Sequence, residues 1–148
     1  LCIARISLQQ AAVFEDTERD WSAFFSPADH ARWLTMQGGP RRTAFLAARI
    51  ALSGALQKSS WQIKDLSYEA DRPVLQRGFI SLSHGGSWAM AAYHPHLEVG
   101  IDVEGPRSQL SKVIKRVASE RECREFEEPL IWGAKEAVYK AAGKAGLD

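Results

Sequence analysis

Residues 2–8 alternate apolar and polar side chains, with Ile3, Ile6 and Leu8 apolar, and predict a strand. Residues 17–25 carry Trp21, Phe24 and Phe25 at helical spacing. Ser26 followed by Pro27 reads as a helix N-cap with a first-turn proline, so a second helix opens there and ends near Gly38 and Gly39. Pro40 opens a third helix that runs to about Lys58. Its apolar stripe is Phe45, Leu52 and Leu56, and Arg42 and Arg49 fall on the same stripe because these positions follow a seven-residue rhythm. A cation inside an apolar face needs a carboxylate or another anion beside it. From residue 63 to 103 the pattern changes to short strands at 78–83, 87–93 and 99–104, parted by turn-like His84-Gly85-Gly86 and His94-Pro95-His96. Helical spacing returns at 110–117 and at 130–142, where Ile131, Val138 and Ala142 share a face.

Residues 44–52 read much like residues 130–138, each run carrying a cation at the same offset, Arg49 and Lys135. Either the chain holds two related halves, or two alanine-rich helices resemble one another by chance.

Composition narrows the class. The chain has 148 residues, 45% hydrophobic and 25% charged, which suits one soluble globular unit with its own core and argues against disorder. Lys and Arg total 19 against 18 Asp and Glu, so the net charge of +1 gives no overall pull toward nucleic acid or acidic membranes. An anion site must therefore be a local cluster. Cys2 and Cys123 lie far apart and outside any C-x-x-C pattern, which argues against a disulfide scaffold or a cysteine zinc site. No membrane-length apolar run and no signal peptide is visible, and a cytoplasmic location is the expectation.

Three places carry candidate chemistry. In Val99-Gly100-Ile101-Asp102-Val103-Glu104 a strand would turn Val99, Ile101 and Val103 to the core and put Asp102 and Glu104 on the opposite face. Two neighbouring carboxylates repel unless a cation or proton sits between them, and all-oxygen ligands favour a hard ion such as Mg²⁺ or Mn²⁺. The alternative is an ordinary solvated strand edge. Ser81-Leu82-Ser83-His84-Gly85-Gly86 places hydroxyls, an imidazole and free backbone N–H groups at a turn, which suits a phosphate, or is simply a hairpin turn that contains a histidine. In the helix around Trp132, Glu136 and Lys140 stand four residues apart. They are either a surface ion pair or a metal ligand or base beside a phosphate-binding lysine. Arg32, Arg42 and Arg72 are further cations that an anionic ligand would attract.

In this order, Arg42 to Leu52, Asp71-Arg72-Pro73, Ser83-His84-Gly85, Gly100-Ile101-Asp102-Val103-Glu104 and Trp132-x-x-Lys135-Glu136-Ala137-x-x-Lys140 resemble the 4′-phosphopantetheinyl transferases of the surfactin-synthetase-activating type. The resemblance implies an α+β fold of two similar lobes, each a helix packed on a small antiparallel sheet. It places residues 1–104 in an N-terminal lobe with the start of the linking strand and 105–148 in part of a C-terminal lobe. It implies a monomer with pseudo-twofold symmetry and a coenzyme A site between the lobes. The implied reaction moves the phosphopantetheine arm of coenzyme A to a serine of an acyl or peptidyl carrier protein and releases adenosine 3′,5′-bisphosphate. Asp102, Glu104 and Glu136 match the metal-binding acids, Glu136 also the base, and Lys140 and His84 phosphate contacts. Ser83 and Arg72 match residues near the pyrophosphate and nucleotide, Arg32 and Arg42 those that hold the 3′-phosphate, and Glu122 an acid near the metal or the serine.

The departures are specific. Gly85 stands where the family usually has a serine, Asp71 where it has a glycine, and Asp29 where a basic residue often helps bind the 3′-phosphate. The stretch from Glu122 to Trp132 is short, and the resemblance leads one to expect further residues at both ends and between about 126 and 130. These departures keep a second reading open: a homologue that binds coenzyme A or a carrier protein without catalysing transfer.

Overall fold

The early alternation forms strand β1 (Cys2–Ser7), which runs directly into helix α1 (Leu8–Glu15). In this computed structural model the described residues are 1–15, 24–69, 72–105 and 110–143. The expected helix at 17–25 and Asp71 thus lie mostly or wholly outside them. Helix α2 (Pro27–Thr35) begins where the Ser26-Pro27 pair predicts. Ser26 Oγ accepts the Asp29 amide, and the Asp29 carboxylate accepts the Ser26 amide, a reciprocal capping box. Helix α3 (Pro40–Leu56) follows Gly39, whose φ of 103° lies in the region that only glycine adopts without strain.

A 3₁₀ turn (Ile63–Asp65) leads to the paired strands β2 (Ser67–Glu69) and β3 (Arg72–Val74). Strands β4 (Phe79–Gly85) and β5 (Trp88–His94) form a hairpin, and β1 adds to its far side, giving an antiparallel sheet in the order β1-β5-β4. The register pairs Gly85 with Trp88, so the turn is Gly86 and Ser87 rather than His84 to Gly86. Gly86 takes the positive φ that such a two-residue turn requires, 54°.

Helix α3 lies on this sheet. Leu52, Leu56, Ile63, Leu66, Leu75, Ile80 and Tyr93 form the principal core. The burial of each large side chain contributes about 1.5–3 kcal/mol. Helices α4 (Leu110–Val117), α5 (Glu120–Glu125) and α6 (Glu128–Ala141) follow, with α5 and α6 joined through Phe126 and Glu127. Leu110, Ile114, Ile131 and Trp132 make a second, smaller core between α4 and α6. The buried face of α6 is Ile131, Trp132 and Glu136. Val138, expected beside Ile131 on an inward face, is 65% exposed.

The architecture is α+β with small antiparallel sheets, as expected. The N-terminal part is a helix on a sheet. Among the described residues no strand accompanies α6. Residues 99–104, expected as a strand, make no backbone ladder. Serine hydroxyls on β4 take their amides instead: Ile101 N–H donates to Ser81 Oγ (3.1 Å) and Val103 N–H to Ser83 Oγ (3.2 Å).

Candidate functional site

The 101–104 segment runs beside β4 on one side and α6 on the other, and glycines set both approaches. A Cβ at Gly85 would lie 2.0 Å from the Val103 carbonyl oxygen, and one at Gly100 would lie 1.7 Å from that of Ala137. The serine expected at position 85 does not fit here without moving the backbone, which accounts for that departure.

This placement gathers Asp102, Glu104, Glu136, Lys140, Ser83 and His84 around one polar pocket of about 280 Å³, floored by Trp132. Lys140 Nζ donates to Asp102 Oδ1 (2.6 Å), to Ser83 Oγ (3.3 Å) and to the Ile101 carbonyl oxygen (3.3 Å). Ser83 Oγ donates to the same Asp102 oxygen (2.8 Å). Lys140 therefore bridges α6 to the acidic segment. The other carboxylate oxygen, Asp102 Oδ2, is buried and accepts no hydrogen bond from any described residue. It faces α6 at Gly133, where a Cβ would come within 3.7 Å of it. Glu136 is buried on the pocket wall. Among the described residues, no three His, Cys, Asp or Glu side chains are already drawn together as a chelate.

His84 lies within the β4–β5 ladder opposite Ala89, not at a turn. Its pKa is lowered, first by desolvation and then by the Lys140 charge, with Asp102 opposing. The imidazole is therefore neutral at pH 7.

A second pocket of about 310 Å³ shares Leu82, Ser83 and His84 with the first, so the end of β4 is a common wall. Its far side is basic and aromatic: Arg32, Arg41, Arg49 and Tyr68 line it. Arg49 is buried, as its place on the apolar stripe implies, and its partner is Asp29, with Nε donating to Oδ1 (2.8 Å). Tyr68 OH donates to the same oxygen (2.5 Å), and Arg49 Nη2 donates to Tyr68 OH. Burial first, and then the Asp29 contact against the opposing Arg49 charge, pushes the Tyr68 pKa up to about 12. Asp29, which stands where the family often has a basic residue, is wholly buried as cap and counter-ion.

The remaining sequence candidates divide. Arg32 lines the basic pocket, whereas Arg42 does not: it stacks on Trp33, 4.0 Å from the ring centre, with Glu15 3.4 Å away. Its neighbour Arg41, which sequence reasoning passed over, takes the pocket position. Arg72 lies outside both pockets, beside Gly143 at the end of α6. The Glu122 carboxylate caps α5 through Ser119 and pairs with Lys135 (2.8 Å) rather than lining the acidic pocket. These contacts, that of Lys135 foremost and then those of Ser119, hold its pKa down to about 2. Tyr68 and Arg41 had no motif to mark them. Only their convergence on one cavity does so.

No curated protein is significantly similar to the chain. A holo-(acyl-carrier-protein) synthase from Bacillus anthracis str. Ames, solved in complex with CoA (3′,5′-ADP), is 19% identical over 61% of this chain and 89% of that one, with a TM-score of 0.46. The holo-[acyl-carrier-protein] synthase of Thermotoga maritima is 22% identical over 75% of this chain and 71% of that one, also with a TM-score of 0.46. Residues 98–147, a stretch that contains Asp102, Glu104, Glu136 and Lys140, match the family model of the 4′-phosphopantetheinyl transferase superfamily.

Proposed function

We propose that the protein is a Mg²⁺-dependent 4′-phosphopantetheinyl transferase that moves the phosphopantetheine arm of coenzyme A onto a serine of an acyl or peptidyl carrier protein. The observation that carries this reading is the pairing of an acidic pocket with a basic one across the shared wall of β4. Coenzyme A presents two phosphate centres of matching demand. The pyrophosphate needs a cation held by acids, and the 3′-phosphate needs arginines. The family match over residues 98–147 covers the acidic half.

Asp102, Glu104 and Glu136 would hold the metal. The buried Asp102 Oδ2 has the hardness and the vacancy that Mg²⁺ favours, and Mg²⁺ commonly uses one or two carboxylates, water and substrate phosphate rather than a finished protein cage. That explains why three acids in one pocket need not converge beforehand. The ion would neutralise charge on the pyrophosphate oxygens as the transfer proceeds.

The chain's own residues do the rest. Glu136 takes the proton of the carrier serine, directly or through water. The serine oxygen forms a bond to the phosphorus bearing the pantetheine arm, and the bond from that phosphorus to the bridging oxygen breaks. Adenosine 3′,5′-bisphosphate leaves with the electron pair. Lys140 and neutral His84 donate to phosphate oxygens, and Ser83 sits beside the pyrophosphate. Arg32 holds the 3′-phosphate, aided by Arg41 in the position first ascribed to Arg42. Arg72 stands further out, toward the nucleotide.

The two-lobe, pseudo-twofold plan with its division between residues 104 and 105, the surfactin-synthetase-activating subtype, a monomeric state and a cytoplasmic location belong to the same proposal. One feature supports the duplication: Arg49 and Lys135, at matching offsets, each reach the acid that closes the preceding helix's capping box. No helix among the described residues is long and apolar enough to cross a membrane.

Incubation with coenzyme A, Mg²⁺ and a panel of apo carrier proteins should add the mass of one phosphopantetheine arm. Asp102→Ala and Glu136→Ala should each lower the transfer rate by at least about 10²-fold, the usual range for a general base or a metal ligand. Full activity in both variants removes them from the site, and no transfer to any carrier ends the enzyme reading. A second reading, a non-catalytic binder of coenzyme A or of a carrier protein, is favoured by Lys140 already occupying Asp102 Oδ1. Calorimetric binding of coenzyme A without turnover would establish it.

A further inference from the structure

Resting on that reading, we propose that Tyr68 is a positioning residue for the basic pocket: its ring seats Arg32, and its hydroxyl, pinned by Asp29 and Arg49, fixes the ring. The Arg32 guanidinium carbon lies 4.0 Å from the Tyr68 ring centre. A guanidinium over an aromatic face is held electrostatically, and more strongly where water is excluded. Tyr68 sits on β2, a three-residue strand paired, among the described residues, with the equally short β3 alone, which is a weak foundation. The hydroxyl supplies the missing rigidity. It donates to Asp29 Oδ1 and accepts from Arg49 Nη2, and both of those residues are buried.

The chain of support therefore runs from the capping box of α2, through Asp29 and Arg49, to Tyr68. It returns to Arg32 on the last turn of the same helix. Arg32 is a long side chain, and ordering such a side chain on binding costs rotamer entropy. Holding it over the ring removes much of that entropy in advance. The ligand that benefits is the one whose charge Arg32 meets, a phosphate monoester on the nucleotide. The pyrophosphate lies across the wall and gains nothing from Tyr68.

The test compares transfer from coenzyme A and from 3′-dephospho-coenzyme A in the full chain, with Tyr68→Leu and Tyr68→Phe. Tyr68→Leu should raise KM for coenzyme A about tenfold, within the range of a desolvated cation–π contact, with kcat unchanged and KM for the dephospho substrate unmoved. The preference for the 3′-phosphate should shrink accordingly. Tyr68→Phe keeps the ring and loses the pin, and should give a smaller loss of the same preference. It is also the variant to read if Tyr68→Leu does not fold. Arg32→Gln combined with Tyr68→Leu should cost no more than Arg32→Gln alone. A merely structural role would raise both KM values together, and that result, or an unchanged preference, overturns the proposal. Wild-type protein that transfers from neither substrate overturns the underlying reading instead, and the proposal with it.

Discussion

Two of the capping boxes, those of α2 and α5, differ in depth. Ser26 and Asp29 open α2, while Ser119 and Glu122 open α5. In each, the acid also takes a cation from a later helix, Arg49 from α3 or Lys135 from α6. The first pair is sealed, with Asp29 0% and Arg49 6% exposed, and Tyr68 OH completes the acid's shell. The second is at the rim, with Lys135 26% and Glu122 36% exposed. The same local chemistry is thus a core fastening at α2 and a surface contact at α5. What separates them is the presence of a sheet. Helix α3 is covered by β1-β5-β4, whereas among the described residues none covers α6.

The sharpest way to break this contrast is Arg49→Met, which leaves Asp29 buried without its counter-ion. It should cost about 3–5 kcal/mol in urea unfolding, the usual range when one partner of a buried pair is removed. Adding Asp29→Asn should return part of that loss. A cost below about 1 kcal/mol would mean that burial is not what distinguishes the two boxes. Ser26→Ala should cost about 1 kcal/mol, and Ser119→Ala less in the same titration. The reverse order would undo the comparison.

The smallest expected effect is that of Lys135→Met, which should leave the unfolding midpoint at pH 7 almost unchanged. Its signature lies in titration. Glu122 is held down to about 2, so the stability it lends is complete above the ordinary carboxylate pKa and is lost as pH falls toward 2. Carboxyl carbon NMR should find the Glu122 midpoint raised toward its ordinary value in Lys135→Met. A midpoint that stays near 2 would make Ser119 the dominant partner.

Local signals in the sequence foretold local structure. Ser26-Pro27 and Gly39-Pro40 marked both helix starts, and the stripe through Arg49 required the carboxylate it has in Asp29. What failed depended on which surface packs where. Arg41 and Arg42 are adjacent, about 100° apart around the helix, and only the positions of Trp33 and Glu15 decide which of them turns from the pocket. Val138 fits an apolar stripe but meets no sheet among the described residues. Residues 99–104 alternate as a strand does, yet two hydroxyls at Ser81 and Ser83 substitute for a ladder. Asp102, Glu104, Glu136 and Lys140 were legible because their motifs are short and ordered, and the fold brings all four to one pocket.

Ser83 Oγ has one proton and two lone pairs to offer. Asp102 takes the proton, while the Val103 amide and Lys140 take the lone pairs. The hydroxyl is saturated, so any phosphate oxygen it contacts arrives by exchange rather than addition. Each of the three bonds up for exchange anchors the acidic segment or the lysine of α6. Occupancy of the pocket is therefore written directly into the tether that joins β4, the acidic segment and α6, with a single serine as the point of transfer.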